Sequence, residues 1–219
     1  MLPWSTIDTV MFDMDGTLLD LHFDNYFWLK LVPYHYSKKY DVSEAEAEQF
    51  VRQKYSDVHG TLKWYCIDYW QAEFGLNIPQ LKLGITHKIT VRPNVEHLLQ
   101  ALKQLDKRLV LVTNAHPISL DLKMKHAGIR DYFHQCISSH SLKLAKENRG
   151  FWENLKAVEP YDPARTALFD DNLSVLREAK RQGIAHLWAI SQPDSQLPAV
   201  AAGEFPQVQD FEQLLPARG

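Results

Sequence analysis

Two acids one residue apart, Asp13 and Asp15, are where this chain can do chemistry. They lie between a short apolar run and the pair Gly16-Thr17. Residues 9–12, β-branched and apolar, read as a strand buried on both faces. Side chains alternate along an extended segment, so both carboxylates project from one side just past the strand's end. Bare charges in apolar surroundings are costly. A hard divalent cation is the usual remedy, because Mg2+ takes one or two carboxylates together with phosphate oxygens. A carboxylate can also attack phosphorus and form an aspartyl-phosphate. Asp-X-Asp alone is equally at home in a solvated turn. The weight shifts because the string continues through Leu18, Leu19 and Asp20 directly after a strand.

Three more polar groups fall at or beyond the ends of apolar runs. Leu109 to Val112 leads into Thr113-Asn114, whose hydroxyl, amide and backbone N–H groups suit phosphate oxygens. Asn is also a common turn residue. Lys146 lies beyond a weaker strand at 134–138, where it would hold phosphoryl oxygens and screen Asp13. Lys143 competes three residues earlier. Ala167 to Phe169 ends in Asp170-Asp171, two acids that repel unless a cation or Lys146 compensates.

The elements that must position these groups alternate. After residue 91, helices are expected at 93–105, 117–127, 150–158 and 173–182, and strands at 109–113, 134–138, 166–169 and 185–190. Such alternation predicts an α/β fold, a parallel sheet with helices on both faces, binding ligands at the strands' C-terminal edge. Residues 21–90 are different: aromatic-rich, amphipathic and without a strand-like run. Helices are expected at 25–36, at 43–56 with Ser43 and Glu46 as a capping box, and at 62–74 up to Gly75, with a short piece near 79–90. The division expected is a core of 1–20 and 91–219 with a small helical cap, 21–90, inserted after the first strand. The tail, rich in Pro and Ala, is expected to hold one short helix at 210–215.

Composition narrows the partners. The 219 residues are 45% hydrophobic and 23% charged with a net charge of −3, ordinary for a soluble globular chain. Without a basic block, nucleic acid and anionic membrane are not expected partners. No run approaches ~18 apolar residues, and no charged-then-apolar leader is evident. Cys66 and Cys136 read as reduced thiols, which fits a cytoplasmic setting. Oligomeric state has no signature.

The Asp-X-Asp-Gly-Thr string resembles the signature of the haloacid dehalogenase-like hydrolase superfamily. That resemblance implies a doubly wound, Rossmann-like core, with Asp13 as nucleophile and Asp15 as the acid/base that protonates the leaving alkoxide and then activates water. Thr17 would support the loop and the substrate. Thr113 matches the family's second motif and Lys146 its third, although Glu147 stands where Pro is common. Asp170-Asp171 matches the fourth, with Asp171 favoured over Asp170 as direct metal ligand; Val175 replaces a further Asp of the extended form. The implied cofactor is Mg2+, held by Asp13, Asp15, Asp171 and Asp170. Asp15 speaks against the dehalogenase branch, while phosphatase and mutase share all four motifs.

Within the insert, residues 21–28, 31–33 and 61–70, together with residues 113–117 and Ser139-His140, resemble the bacterial GMP/IMP nucleotidases of this superfamily. The substrate so implied is a small phosphate monoester, a purine nucleoside 5′-monophosphate. A broader sugar-phosphate phosphatase or phosphomutase, or a non-enzymatic relative, are the alternatives. Asn114, Asp24, Asn25, Arg52, His59 and Lys63 are the candidate polar contacts to substrate, and a subset of the aromatics would stack on the base.

Overall fold

Strand β1 (Thr9–Phe12) is the inner strand to which the chain keeps returning, and all four of its residues are buried. The computed structural model describes residues 3–216. After β1 come α1 (His22–Tyr26), a π-helical turn (Phe27–Leu31), α2 (Val32–Tyr40), α3 (Glu44–Val58), α4 (Ile67–Phe74) and α5 (Ile78–Leu83). Then α6 (Val95–Gln104), β2 (Arg108–Thr113), α7 (Pro117–Ala127), β3 (Gln135–Ser138), α8 (Phe151–Val158), β4 (Thr166–Asp170), α9 (Leu173–Arg181), β5 (His186–Ile190) and β6 (Gln207–Val208) complete the order. The sheet runs β3-β2-β1-β4-β5-β6 with every pair parallel.

Alternation along the strands builds two cores. Val10, Phe12, Leu109, Leu111, Ala167 and Phe169 join the apolar stripes of α6 and α7 on one face. Met11, Val110, Val112 and Leu168 join α8 and α9 on the other. Fully burying one such side chain is worth about 1.5–3 kcal/mol, so the register is strongly fixed. The first of these clusters does not stop at the sheet. It continues through Phe23, Phe27, Val51, Tyr55 and Trp70 of the 21–90 segment.

That segment leaves and rejoins the sheet side by side. Asp20 donates its N–H to Thr90 O at 3.0 Å, and Arg92 donates to Leu18 O at 2.9 Å. The capping box at Ser43 is present: Ser43 Oγ accepts the Glu46 N–H at 3.2 Å and Glu46 Oε2 accepts the Ser43 N–H at 3.0 Å. Such a cap is worth about 1 kcal/mol.

Four expectations change. The first helix starts at His22 and reaches Tyr40, passing Pro33 through the π turn. Pro33 has no N–H to donate and its ring crowds the carbonyl four residues back, a misfit the wider turn accommodates. The helix expected at 62–74 is two pieces, a 3-10 turn (Leu62–Tyr65) and α4, parted by an extended Cys66. The piece near 79–90 divides into α5 and a 3-10 turn at Thr86–Lys88. In the tail, β6 adds an edge strand, and the short helix is a 3-10 turn (Phe211–Leu214).

Candidate active site

Parallel strands bring every C-terminal end to one edge, and the register decides who meets there. Phe12 pairs with Phe169 and Leu111, so Asp13 emerges beside Asp170 and the end of β2. Lys146 Nζ sits among them: 2.5 Å from Asp13 Oδ1, 2.7 Å from Asp170 Oδ2 and 3.1 Å from Val112 O. All three ionised side chains are buried. Burial alone lowers a lysine's pKa, but Asp13 and Asp170 outweigh it and hold Lys146 protonated above its ordinary value. Burial lifts the Asp13 carboxyl to about 6, with Lys146 restraining the rise and Asp170 adding to it.

Asp13, Asp170 and Asp171 offer carboxylate oxygens that all lie within 4.8 Å of one another. Among the described residues Asp171 has no ion-pair partner, and burial next to Asp13 and Asp170 raises its pKa well above the carboxylate range. A half-buried carboxylate without an ion-pair partner, beside two buried ones, fits a hard divalent cation. The cavity supports the same conclusion. Its lining holds Asp13, Asp15, Asp24, Asp170 and Asp171 against Lys82, Lys123 and Lys146. With every group ionised, five carboxylates would face three ammonium groups, an excess of two negative charges that one divalent ion would neutralise.

Gly16 makes room for this arrangement. Its φ is +81°, and a Cβ there would fall 2.7 Å from Asp171 Oδ2 and 3.0 Å from Pro193 Cβ. The turn after Asp15 therefore needs glycine both for its backbone and for Asp171.

Asp15 points into the same cavity, away from that carboxylate group. Its Oδ1 takes Lys123 Nζ at 2.6 Å, and the same ammonium reaches Asp24 Oδ2 at 2.5 Å. Lys82 Nζ closes the chain at 3.1 Å from Asp24 Oδ1 and lies 4.5 Å from the centre of the Phe27 ring. Burial pushes Asp15 to about 7 against the pull of Lys123. Burial also acts on Asp24, but Lys123 and Lys82 overcome it and bring that carboxyl to about 2. One of two neighbouring acids is thus held ionised while the other titrates near neutrality.

The remaining groups brace the edge. Thr113 Oγ1 accepts the Ala115 N–H at 3.0 Å. Asn114 Oδ1 accepts the Lys146 N–H at 2.9 Å, and its Nδ2 donates to Glu147 Oε2 at 2.8 Å. Tyr65, from the 21–90 segment, donates its hydroxyl to Glu147 Oε1 at 2.9 Å. Thr113, Asn114, Lys146 and Tyr65, with the aromatic wall of Trp28, Tyr55, Trp64 and Trp70, line a cavity of about 310 Å3.

Residues 7–183 match the haloacid dehalogenase-like hydrolase family. The chain belongs to that family. It is 37% identical to the GMP/IMP nucleotidase YrfG of Escherichia coli (strain K12) over 216 residues, 99% of this chain and 97% of that one, and to the protein of the same name from Shigella flexneri to the same extent. Among solved structures, a HAD phosphatase from Thermococcus onnurineus superposes with a TM-score of 0.79 at 22% identity, covering 95% of this chain and 96% of that one. CbbY from Rhodobacter sphaeroides, in complex with phosphate, gives 0.66 at 15% identity over 95% and 96%. At such identities these two share the fold, an α/β Rossmann-like core with helical insertions.

In this hydrolase the expected contacts divide. Asp13, Asp15, Asp24, Asn25, Thr113, Asn114, Lys146, Asp170 and Asp171 all line the cavity. Asn25 is held by Asp194 Oδ2 at 2.8 Å. The carboxylate of Asp15 stands outside the metal-ligating group, because Lys123 holds it. Thr17 is fully buried and does not reach the cavity. Arg52 and Lys63 do not reach it either. On α3 the buried face is Ala47, Val51 and Tyr55, which turns Arg52 outward to Glu48 at 3.8 Å. Lys63 lies exposed over the Tyr69 ring, and His59 is exposed against Trp64.

Lys82, Lys123 and His116 are cavity residues that the expected contact set lacks. Both lysines carry a signal at helical spacing: Lys123 is on the buried stripe of Ser119, Leu120 and Met124, and Lys82 is four residues beyond buried Ile78. A lysine on the apolar stripe of a helix marks either a misread phase or a buried ion pair.

Proposed function

We propose that this hydrolase removes phosphate from purine nucleoside 5′-monophosphates, GMP and IMP, through an aspartyl-phosphate on Asp13. The observation that carries the reading is one cavity that joins the Asp13–Lys146 carboxylate edge to a wall of half-buried aromatics, Trp28, Trp64 and Tyr65. Similarity to the GMP/IMP nucleotidase over nearly the whole chain supports reading the base as a purine.

In this mechanism an Asp13 oxygen attacks phosphorus as the bond from phosphorus to the ester oxygen breaks. Asp15, titrating near neutrality, gives its proton to the departing 5′-oxygen. It then takes a proton from water as that water attacks the phospho-Asp13, returning the Asp13 carboxylate and inorganic phosphate. Lys146 holds charge on the transferring oxygens, and the Lys123 and Lys82 ammoniums keep Asp24 ionised beside Asp15. Asp13 and Asp171, with Asp170, would hold Mg2+. When bound, that ion supplies charge neutralisation for the phosphoryl group.

Residues 21–90 act in this proposal as a cap. Its aromatics cover the base and exclude water, and its closure is tied to the core through Tyr65 and Glu147. The test is phosphate release from a panel of purine and pyrimidine monophosphates and sugar phosphates with Mg2+ present. The expected result is fastest release from GMP and IMP. Equal or faster release from sugar phosphates would replace the nucleotide reading with the broader phosphatase or mutase.

A further inference from the structure

A second cluster of metal-ligating side chains stands at the same edge, built from three separate elements. Cys66 is the extended residue that parts the 3-10 turn from α4. His116 caps the N-terminus of α7 in the loop after β2. His140 lies in the 3-10 turn Ser139–Leu142 that follows β3. The Cys66 sulfur and one ring nitrogen from each histidine all lie within 4.8 Å of one another. The two imidazoles meet edge to face with centroids 4.9 Å apart.

We propose that Cys66, His116 and His140 form a binding site for a thiophilic divalent ion of the Zn2+ type, which fastens residues 21–90 to the sheet edge and slows turnover when filled. One thiolate and two imidazoles are the donor set that selects Zn2+ over Mg2+, as the all-carboxylate group selects the reverse. The Nε2 of His140 is buried and, among the described residues, has no partner in hydrogen-bond geometry. A buried nitrogen left unpartnered is costly, and a metal ion satisfies it. A fourth donor is within reach: Asp68 Oδ2 is 3.4 Å from His116 Nε2. On binding, the Cys66 thiol releases its proton to solvent and the thiolate takes a metal bond.

Location gives the site its consequence. Cys66 and Asp68 come from the 21–90 segment, whereas His116 and His140 come from loops of the sheet edge, and His116 also lines the reaction cavity. An ion held between them locks the segment in place and opposes the opening that product release requires.

The experiment titrates Co2+, a spectroscopic stand-in for Zn2+, into the full-length protein saturated with Mg2+. One equivalent is expected to produce a thiolate-to-metal charge-transfer band in the near ultraviolet with the visible bands of a tetrahedral ion, both bleached by Zn2+. Cys66→Ser should lose the charge-transfer band and Cys136→Ser should keep it. No such band in the wild type, or an equal band in Cys66→Ser, would overturn the site. Zn2+ should also slow phosphate release from IMP by the wild type at lower concentration than it slows Cys66→Ser, with Mg2+ held in excess. Equal inhibition of the two would overturn the clamp. Only the inhibition measurement rests on the proposed reaction; the spectrum decides the site even if IMP is not hydrolysed.

Discussion

Asp13 and Asp15 are raised to about 6 and about 7 by burial, each against the pull of a lysine, from an ordinary value of 3.8. The folded state without metal therefore binds protons that the unfolded chain does not. Its stabilising contribution is complete below about pH 4 and is lost as pH rises through 6 to 7. A divalent ion at this edge removes the Asp13 part of that loss by favouring its ionised carboxylate. Mg2+ is accordingly expected to raise the melting temperature more at about pH 8 than at about pH 5, which a pair of thermal melts with and without chelator checks. Lys123 gives a second residue-scale expectation. Lys123→Met leaves Asp15 and Asp24 without their shared ammonium, which should cost about 3–5 kcal/mol in urea unfolding. Because Lys123 lowers the Asp15 pKa, its loss should also move the basic limb of the kcat/KM profile to higher pH. The acids and Lys146 were legible in the sequence because each ends, or follows soon after, an apolar run. Lys82 and Lys123 were not, since a lone lysine reads as solvent-facing until the helix phase that buries it is known.

At the level of elements, the edge depends on turns more than on strands. Gly16→Ala should displace Asp171, because the new methyl would sit 2.7 Å from its Oδ2 at a backbone φ of +81°. Weaker Mg2+ affinity, read as a higher Mg2+ concentration for half-maximal phosphate release, is the expected outcome. Unchanged Mg2+ dependence would remove Asp171 from the metal group. The Tyr65–Glu147–Asn114 chain ties the insert to the backbone of Lys146. Tyr65→Phe leaves one Glu147 oxygen without that donor and should cost about 1–3 kcal/mol of stability, measured by denaturant unfolding. The core's alternation of helix and strand was readable from periodicity, and α7 was readable from Pro117 to Gly128. Two-residue β6 has too few residues to show alternation, and the break at Cys66 lies inside an amphipathic pattern that reads as one helix. Glu147, where the family often has Pro, read as a departure from a motif; only the structure brings Tyr65 and Asn114 to it.

Across the whole molecule, one apolar cluster runs from α6 and α7 over the sheet into Phe27, Val51, Tyr55 and Trp70. Its continuity does not show in the sequence, where residues 21–90 differ so sharply in composition from the rest. Shared burial of this kind couples the insert and sheet energetically, so heat unfolding followed by near-ultraviolet and far-ultraviolet circular dichroism should give coincident, single transitions. Separate transitions would show that the 21–90 helices are stabilised apart from the sheet. The cluster positions the aromatic wall over the reacting edge, and the account as a whole asks that Asp13 carry phosphate beneath it. Trapping that state is the most direct measurement. Asp15→Asn protein, given Mg2+ and an activated aryl phosphate that needs no proton donor to leave, should release close to one equivalent of the aryl alcohol and then stall. Peptide mass analysis should find the added phosphoryl group on Asp13. No phosphoryl group on Asp13, together with sustained IMP hydrolysis by Asp13→Asn, would contradict the account.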